Sequence, residues 1–168
     1  MPNGADRRVT FWLVAALVVA LDLVTKWWAE TSLVLYQPIQ VVGDWIRWRL
    51  IYNPGAAFGL HLGPWSRWIF LVIAVVAVVV LYRLARSSSG TDLVRQVSLG
   101  AVTGGAIGNL VDRIRGPQGV VDFLDVGVGA TRWPTFNIAD IGVSCGAVVL
   151  AVSLWREDSQ RAASTADG

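Results

Sequence analysis

Four stretches of this 168-residue chain, at about 9–28, 68–84, 94–114 and 138–155, are each close to the length at which an apolar helix crosses a bilayer, roughly 20 residues. With a mean hydropathy of +0.53, 54% hydrophobic residues and nine tryptophans, the composition departs from that of a soluble globule. The expected fold is an all-α membrane protein, a bundle of four transmembrane helices forming a single domain over 1–168. An even number of spans puts both termini on one side.

The first run superficially resembles a secretory signal, with Arg7-Arg8 ahead of Phe11. It continues through Asp22, Lys26 and Trp27-Trp28 without a convincing small-x-small cleavage site, so a retained first span is the better reading. The third run is the least apolar, carrying Ser98, Thr103, Asn109, Asp112 and Arg113. Such a helix belongs in the bundle interior, its polar face turned away from lipid. Gly100, Gly104 and Gly108 recur there at the small-xxx-small spacing that lets helices approach closely.

Orientation follows from the basic residues near the span ends. A plain count ties: Arg7, Arg8, Arg83, Arg86, Arg95, Arg156 and Arg161 against Lys26, Arg47, Arg49, Arg67, Arg113, Arg115 and Arg132. Lys26 and Arg113 sit within spans, whereas Arg7-Arg8 and the short 85–93 connector flank them, which assigns the termini to the cytoplasm. The loop 29–67 is then external. Val41-Val42, the turn Gly43-Asp44 and the alternation from Trp45 to Tyr52 read as a hairpin, a small extracytoplasmic antiparallel platform. Asn53-Pro54-Gly55 ends it, and 56–60 fits a short amphipathic surface helix. The segment 157–168 reads as a flexible polar tail.

The small net charge of +2 and the scattered arginines lack the basic patch of a nucleic-acid binder. Cys145, the only cysteine, excludes an internal disulfide and reads as a small buried packing residue. One cysteine and one histidine, His61, make no structural zinc set, and His61 reads as a loop residue. No serine sits in a nucleophile elbow.

Carboxylates at membrane boundaries are costly and mark function by default. Asp122, in Val121-Asp122-Phe123, and Asp140, in Asn137-Ile138-Ala139-Asp140, both sit at such boundaries. Brought together, two carboxylates titrate as a coupled pair, one keeping a proton while the other acts as base. The bland alternative is that they cap helix ends. Asp125 reads as a solvated loop residue. Asp22 and Lys26, at i and i+4, read as a structural ion pair, and Asn109 and Arg113 share a helix face at the same spacing.

Five blocks in order resemble the lipoprotein signal peptidase (signal peptidase II) family. They are Asp22 with Lys26; Tyr52-Asn53-Pro54-Gly55-Ala56-Ala57-Phe58; Gly104-Gly105-Ala106-Ile107-Gly108-Asn109-Leu110-Val111-Asp112-Arg113; Val120-Val121-Asp122-Phe123; and Phe136-Asn137-Ile138-Ala139-Asp140. The resemblance implies a membrane-embedded aspartic endopeptidase of the bacterial cytoplasmic membrane, its site at the extracytoplasmic face, cutting prolipoproteins before a diacylglyceryl-modified cysteine. Asp122 and Asp140 would be the catalytic pair. Asn53, Asn109, Arg113, Asn137 and Phe58 would contact substrate, with the turn around Phe58 closing over it. Asp22, Lys26, Asp112, Gly104 and Gly108 would be supporting residues. Prolipoprotein and membrane phospholipid are the implied partners, and neither metal nor organic cofactor is implied. An ion- or proton-coupled carrier is the competing class, although neither repeated halves nor broken helices are visible. A non-catalytic scaffold would explain the glycines and tryptophans but not the two aspartates.

Overall fold

The structure is a computed structural model that describes residues 5–55, 63–88 and 92–166. The expected surface helix at 56–60, Phe58 and His61 lie outside the described residues. In chain order the elements are α1 (Ala5–Ser32), β1 (Ile39–Val42), β2 (Ile46–Asn53), a 3-10 turn at Gly63–Trp65, α2 (Ser66–Ser87), α3 (Leu93–Arg115), β3 (Val120–Val128), β4 (Thr131–Arg132) and α4 (Ile138–Ala166).

Among the described residues, three helical segments are long and apolar enough to cross a membrane: Arg8–Ser32, Gly63–Ser87 and Ile138–Gln160. Their large apolar side chains point outward. Leu13, Leu17 and Val24 on α1, Val72 and Val76 on α2, and Val148 on α4 are all exposed. The inward stripe of α1 runs Phe11, Ala15, Asp22, Lys26 and Ala29 at helical spacing, continued by Leu33 just past the helix, and it includes an ion pair. This inversion is what lipid as solvent permits, because burying apolar surface between helices gains little when the surroundings are equally apolar.

Helix α3 is the hub, packed against α1, α2 and α4. Its buried face is polar and small: Gln96, Ser98, Thr103, Gly104, Gly105, Gly108 and Asp112. A Cβ on Gly100 would come within 2.7 Å of the Phe11 carbonyl oxygen, and one on Gly104 within 2.7 Å of that of Ala15. Gly108, one turn further along the same stripe, abuts the Asp22 carboxylate, and on the side facing α4 Gly105 abuts the Ala139 carbonyl. These glycines set the helix separations, since any side chain would push a backbone away.

The β-structure is one antiparallel sheet of order β1-β2-β3-β4. The hairpin expected from the sequence is present, with Gly43 at φ +49° in its turn and Ile39 opposite Trp48. Its inner neighbour β3 was not foreseen. Ile51 pairs with Asp122 and Asn53 with Val120, across an irregularity between Trp48 and Ile51. The sheet rests on the C-terminal end of α1 through Ala29, Leu33, Leu50, Val121 and Phe123. The rings of Trp28 and Trp48 meet edge-on at 5.2 Å, and those of Trp28 and Phe123 at 6.2 Å.

Three sequence expectations need correction. The segment assigned to a flexible tail at 157–168 is helical through Ala166, because the stretch after Trp155 is rich in Glu, Gln, Arg and Ala, which favour helix. Cys145 is exposed, since an all-apolar helix does not reveal from composition which face is covered. Asp125 is buried within β3, where Arg132 donates to it from Nε at 2.5 Å.

Candidate active site

Asp122 and Asp140 reach one cavity of about 720 Å³ from different elements. Asp122 lies on β3 and Asp140 in the first turn of α4. Asn53, Asn109 and Arg113 also line this cavity, so the structure brings together residues from four of the five sequence blocks. Asn137 is buried beside the cavity and joins its parts, with its Nδ2 hydrogen-bonded to Asp122 Oδ1 at 2.7 Å and to Asn109 Oδ1 at 3.1 Å.

Local geometry explains why each carboxylate sits where it does. At the start of α4, Asp140 N–H donates to Asn137 Oδ1 (2.9 Å), and Asn137 N–H donates back to Asp140 Oδ2 (3.3 Å). This reciprocal arrangement is a capping box, which satisfies donors that the helix start leaves open. The capping role weighed against catalysis is therefore real for Asp140. Its other oxygen remains available and accepts from Asn109 Nδ2 at 2.9 Å. Asp122 is 1% exposed, and its second oxygen accepts from Asn53 Nδ2 at 3.2 Å. Asn53 is itself oriented by Gly55, whose N–H donates to Asn53 Oδ1 at 3.0 Å.

Behind this pair lies a fully buried ionic cluster. Lys26 Nζ spends its three donors on Asp22 (2.7 Å), Asp112 (2.8 Å) and Asn109 Oδ1 (2.9 Å). Each carboxylate also grips backbone: Asp22 accepts from Ala139 N–H at 2.9 Å, and Asp112 from Val121 N–H at 3.2 Å. Ala139 and Val121 are the residues immediately before Asp140 and Asp122. One ammonium thus ties together the anchors of both carboxylates, so the Asp22–Lys26 pair foreseen in the sequence is half of a larger device. Asp112, whose spacing alone gave no partner, is the other half.

Arg113 donates from Nη2 to the Gly55 carbonyl at 3.1 Å and from Nη1 to the Asn109 carbonyl at 3.0 Å. It holds the end of the hairpin against α3 at the cavity wall. Gly104 and Gly108 lie at helix contacts, outside the cavity. Sequence reasoning missed Arg49 and the Asp125–Arg132 pair, which also line the cavity. Arg49 was visible as an arginine alternating along a strand. The pairing of Asp125 with Arg132 depends on a strand reversal that leaves no local signal.

Burial pushes the Asp122 carboxyl up to about 7, and the charge on Asp140 adds to the rise. Hydrogen bonds from Asn53 and Asn137 and the charge of Lys26 oppose it. A carboxyl that stays protonated near neutrality beside a second carboxylate supplies an acid and a base in one pocket.

A family model described as Signal peptidase (SPase) II matches residues 14–156. Curated relatives named lipoprotein signal peptidase include one from Hydrogenovibrio crunogenus, 41% identical over 86% of this chain and 83% of its own length. Another, from Pseudomonas syringae pv. tomato, is 40% identical over 93% of this chain and 91% of its own. A bacterial membrane enzyme solved by the in meso method at 2.3 Å superposes with a TM-score of 0.82 at 28% identity, covering 90% of both chains. A second such enzyme, at 1.9 Å, gives 0.77 at 29% identity over 86% of this chain and 92% of its own.

Proposed function

The chain belongs to the signal peptidase II family, and from that premise we propose that it removes signal peptides from prolipoproteins by aspartic catalysis at Asp122 and Asp140. The observation that carries this reading is the presence of both carboxylates in one cavity with Asp122 raised to about 7. Asp122 carries the shared proton and polarises the scissile carbonyl. Asp140 takes a proton from the attacking water and passes it to the amine of the departing cysteine as the tetrahedral intermediate collapses. Cleavage falls before a diacylglyceryl-modified cysteine. Asn53, Asn109, Arg113 and Asn137 orient the substrate backbone, with Phe58 as an apolar contact. Asp22, Lys26, Asp112, Gly104 and Gly108 support the site.

In the membrane, α3 serves as the fourth span. Its polarity is supportable there because α1, α2 and α4 surround it and its charges pair internally. The whole chain is then one integral peptidase domain of the bacterial inner membrane, with cytoplasmic termini and the sheet and cavity on the extracytoplasmic side. The surrounding phospholipid is its solvent, and it has no nucleic-acid partner. The carrier alternative finds no support among the relatives, whose printed names are those of peptidases.

Purified Asp122→Asn and Asp140→Asn variants test the assignment against a diacylglyceryl-modified prolipoprotein. Each is expected to fold and insert and to lose at least about 10²-fold in cleavage rate, the usual cost of removing a general acid or base. Near-normal turnover in either variant would remove the pair from the mechanism.

A further inference from the structure

A second built pocket, of about 190 Å³, lies where the start of α1, the last turn of α2 and the first turns of α3 meet. It is about 15 Å farther along α1 than Asp22, toward the N-terminus. Arg8, Trp12, Tyr82, Arg86 and Gln96 line it. Gln96 is the informative residue. It is 0% exposed, and its Nε2 donates to the Ala85 carbonyl at 3.1 Å. That bond fixes the amide orientation, because a flipped amide would set two acceptors against each other. Gln96 Oε1 is therefore left as a buried acceptor without a hydrogen-bond partner among the described residues, a state costly enough to call for a ligand or water.

The rest of the pocket specifies what kind of donor arrives. Arg86 is held by its own element: Nη1 donates to Tyr82 Oη at 3.2 Å, and the guanidinium sits 5.9 Å from the ring centroid. Among the described residues no carboxylate pairs with Arg8 or Arg86, so both cations are open to an external anion. The rings of Trp12 and Tyr82 meet in a tilted arrangement with centroids 5.8 Å apart, amphipathic rings of the kind enriched at the membrane interface. Two guanidiniums for a phosphate, a buried acceptor for a headgroup donor and an aromatic wall facing lipid occur together at one end of the bundle.

We propose that this pocket binds a glycerophospholipid whose headgroup carries an O–H or N–H donor, with the phosphate on Arg8 and Arg86 and the donor on Gln96 Oε1. The inference rests on the membrane reading of the helices but not on the catalytic one. Phosphatidylglycerol and phosphatidylethanolamine satisfy it, whereas phosphatidylcholine offers the same phosphate and no donor. The site would hold the ends of three helices together on the side away from the aspartates.

The test is native mass spectrometry of the full chain released from nanodiscs containing equal parts of the three lipids. One phosphatidylglycerol or phosphatidylethanolamine is expected to remain bound, favoured over phosphatidylcholine by about tenfold, the worth of roughly one buried hydrogen bond. Arg8→Ala with Arg86→Ala, both at exposed positions, should abolish this retained lipid while cleavage in detergent continues. Gln96→Met should keep the retained lipid but erase the preference for phosphatidylethanolamine over phosphatidylcholine. Should Gln96→Met fail to fold, the arginine double variant alone decides. Equal retention of phosphatidylcholine by the unaltered protein, or unchanged retention in the double variant, would overturn the proposal. Displacement of the lipid by glycerol 3-phosphate would also overturn it, by assigning the pocket to a soluble phosphate.

Discussion

Asp122 titrates near neutrality for reasons that can be separated by substitution. Because its folded-state pKa is raised to about 7, the protonated form that polarises the carbonyl in the proposed mechanism is present below that pH and is lost as pH rises through it. Cleavage should therefore decline on the alkaline side of about pH 7. Asn53→Ala removes a hydrogen bond that favours the carboxylate, so the alkaline limb should move upward even as the maximum rate falls. A limb that stayed in place, read from initial rates across pH, would detach the titration from Asp122. The same shift predicts a stability effect. The folded state binds more protons here than the unfolded state between the ordinary value of 3.8 and about 7, so stability is lost as pH rises across that interval. Asp122→Asn should then melt above the unaltered protein at pH 8 and level with it near pH 4. That Asp122 and Asp140 belong to one constellation was legible through the ordered blocks of the sequence; position alone left helix capping open, and Asp140 does cap α4. Asp125 was not legible, since its burial depends on Arg132 folding back from the next strand.

At the scale of elements, the Asp22–Lys26–Asp112 cluster fastens α1 to α3, to the first residues of α4 and to β3. Lys26→Met would leave two carboxylates buried without their cation, which typically costs about 3–5 kcal/mol. A large fall in melting temperature is expected, together with a loss of turnover in whatever fraction remains folded. Asp22→Asn should be milder, because the amide can still accept from Ala139 N–H; equal damage from both would show that the cation matters less than the hydrogen bonds. The helices were readable as apolar runs of span length, and the hairpin as alternation around Gly43-Asp44. Strand β3 escaped because Val120 through Phe123 are buried on both faces, which removes the period-two signal. The continuation of α4 to Ala166 escaped because polar composition was taken as the end of the helix, although helix propensity does not require apolar residues. The i, i+4 spacing of Asp22 and Lys26 gave the pair, but no spacing rule reaches Asp112 across a helix interface.

For the whole molecule, the geometry separates positioning in depth from chemistry. The sheet stands on the end of α1, the capping box fixes the start of α4, and between them the cavity sits where apolar helices give way to polar structure. A substrate held by its acyl chains arrives at that depth already aligned. On the proposed mechanism, with each buried CH₂ worth about 0.8 kcal/mol, the lipid supplies most of the binding and the scissile bond meets Asp122 and Asp140 as if in an intramolecular reaction. Removing the diacylglyceryl group should consequently raise KM steeply and leave kcat comparatively intact. Asn109→Ala should do the reverse, lowering kcat on fully lipidated substrate, because Asn109 joins Lys26, Asn137 and Asp140 in one hydrogen-bonded chain. Steady-state kinetics on lipidated and unlipidated forms of one prolipoprotein distinguish the two effects. Equal kcat/KM for both forms would mean that the membrane depth of the cavity contributes nothing to recognition, and the aspartate pair would then have to select its bond from side-chain sequence alone.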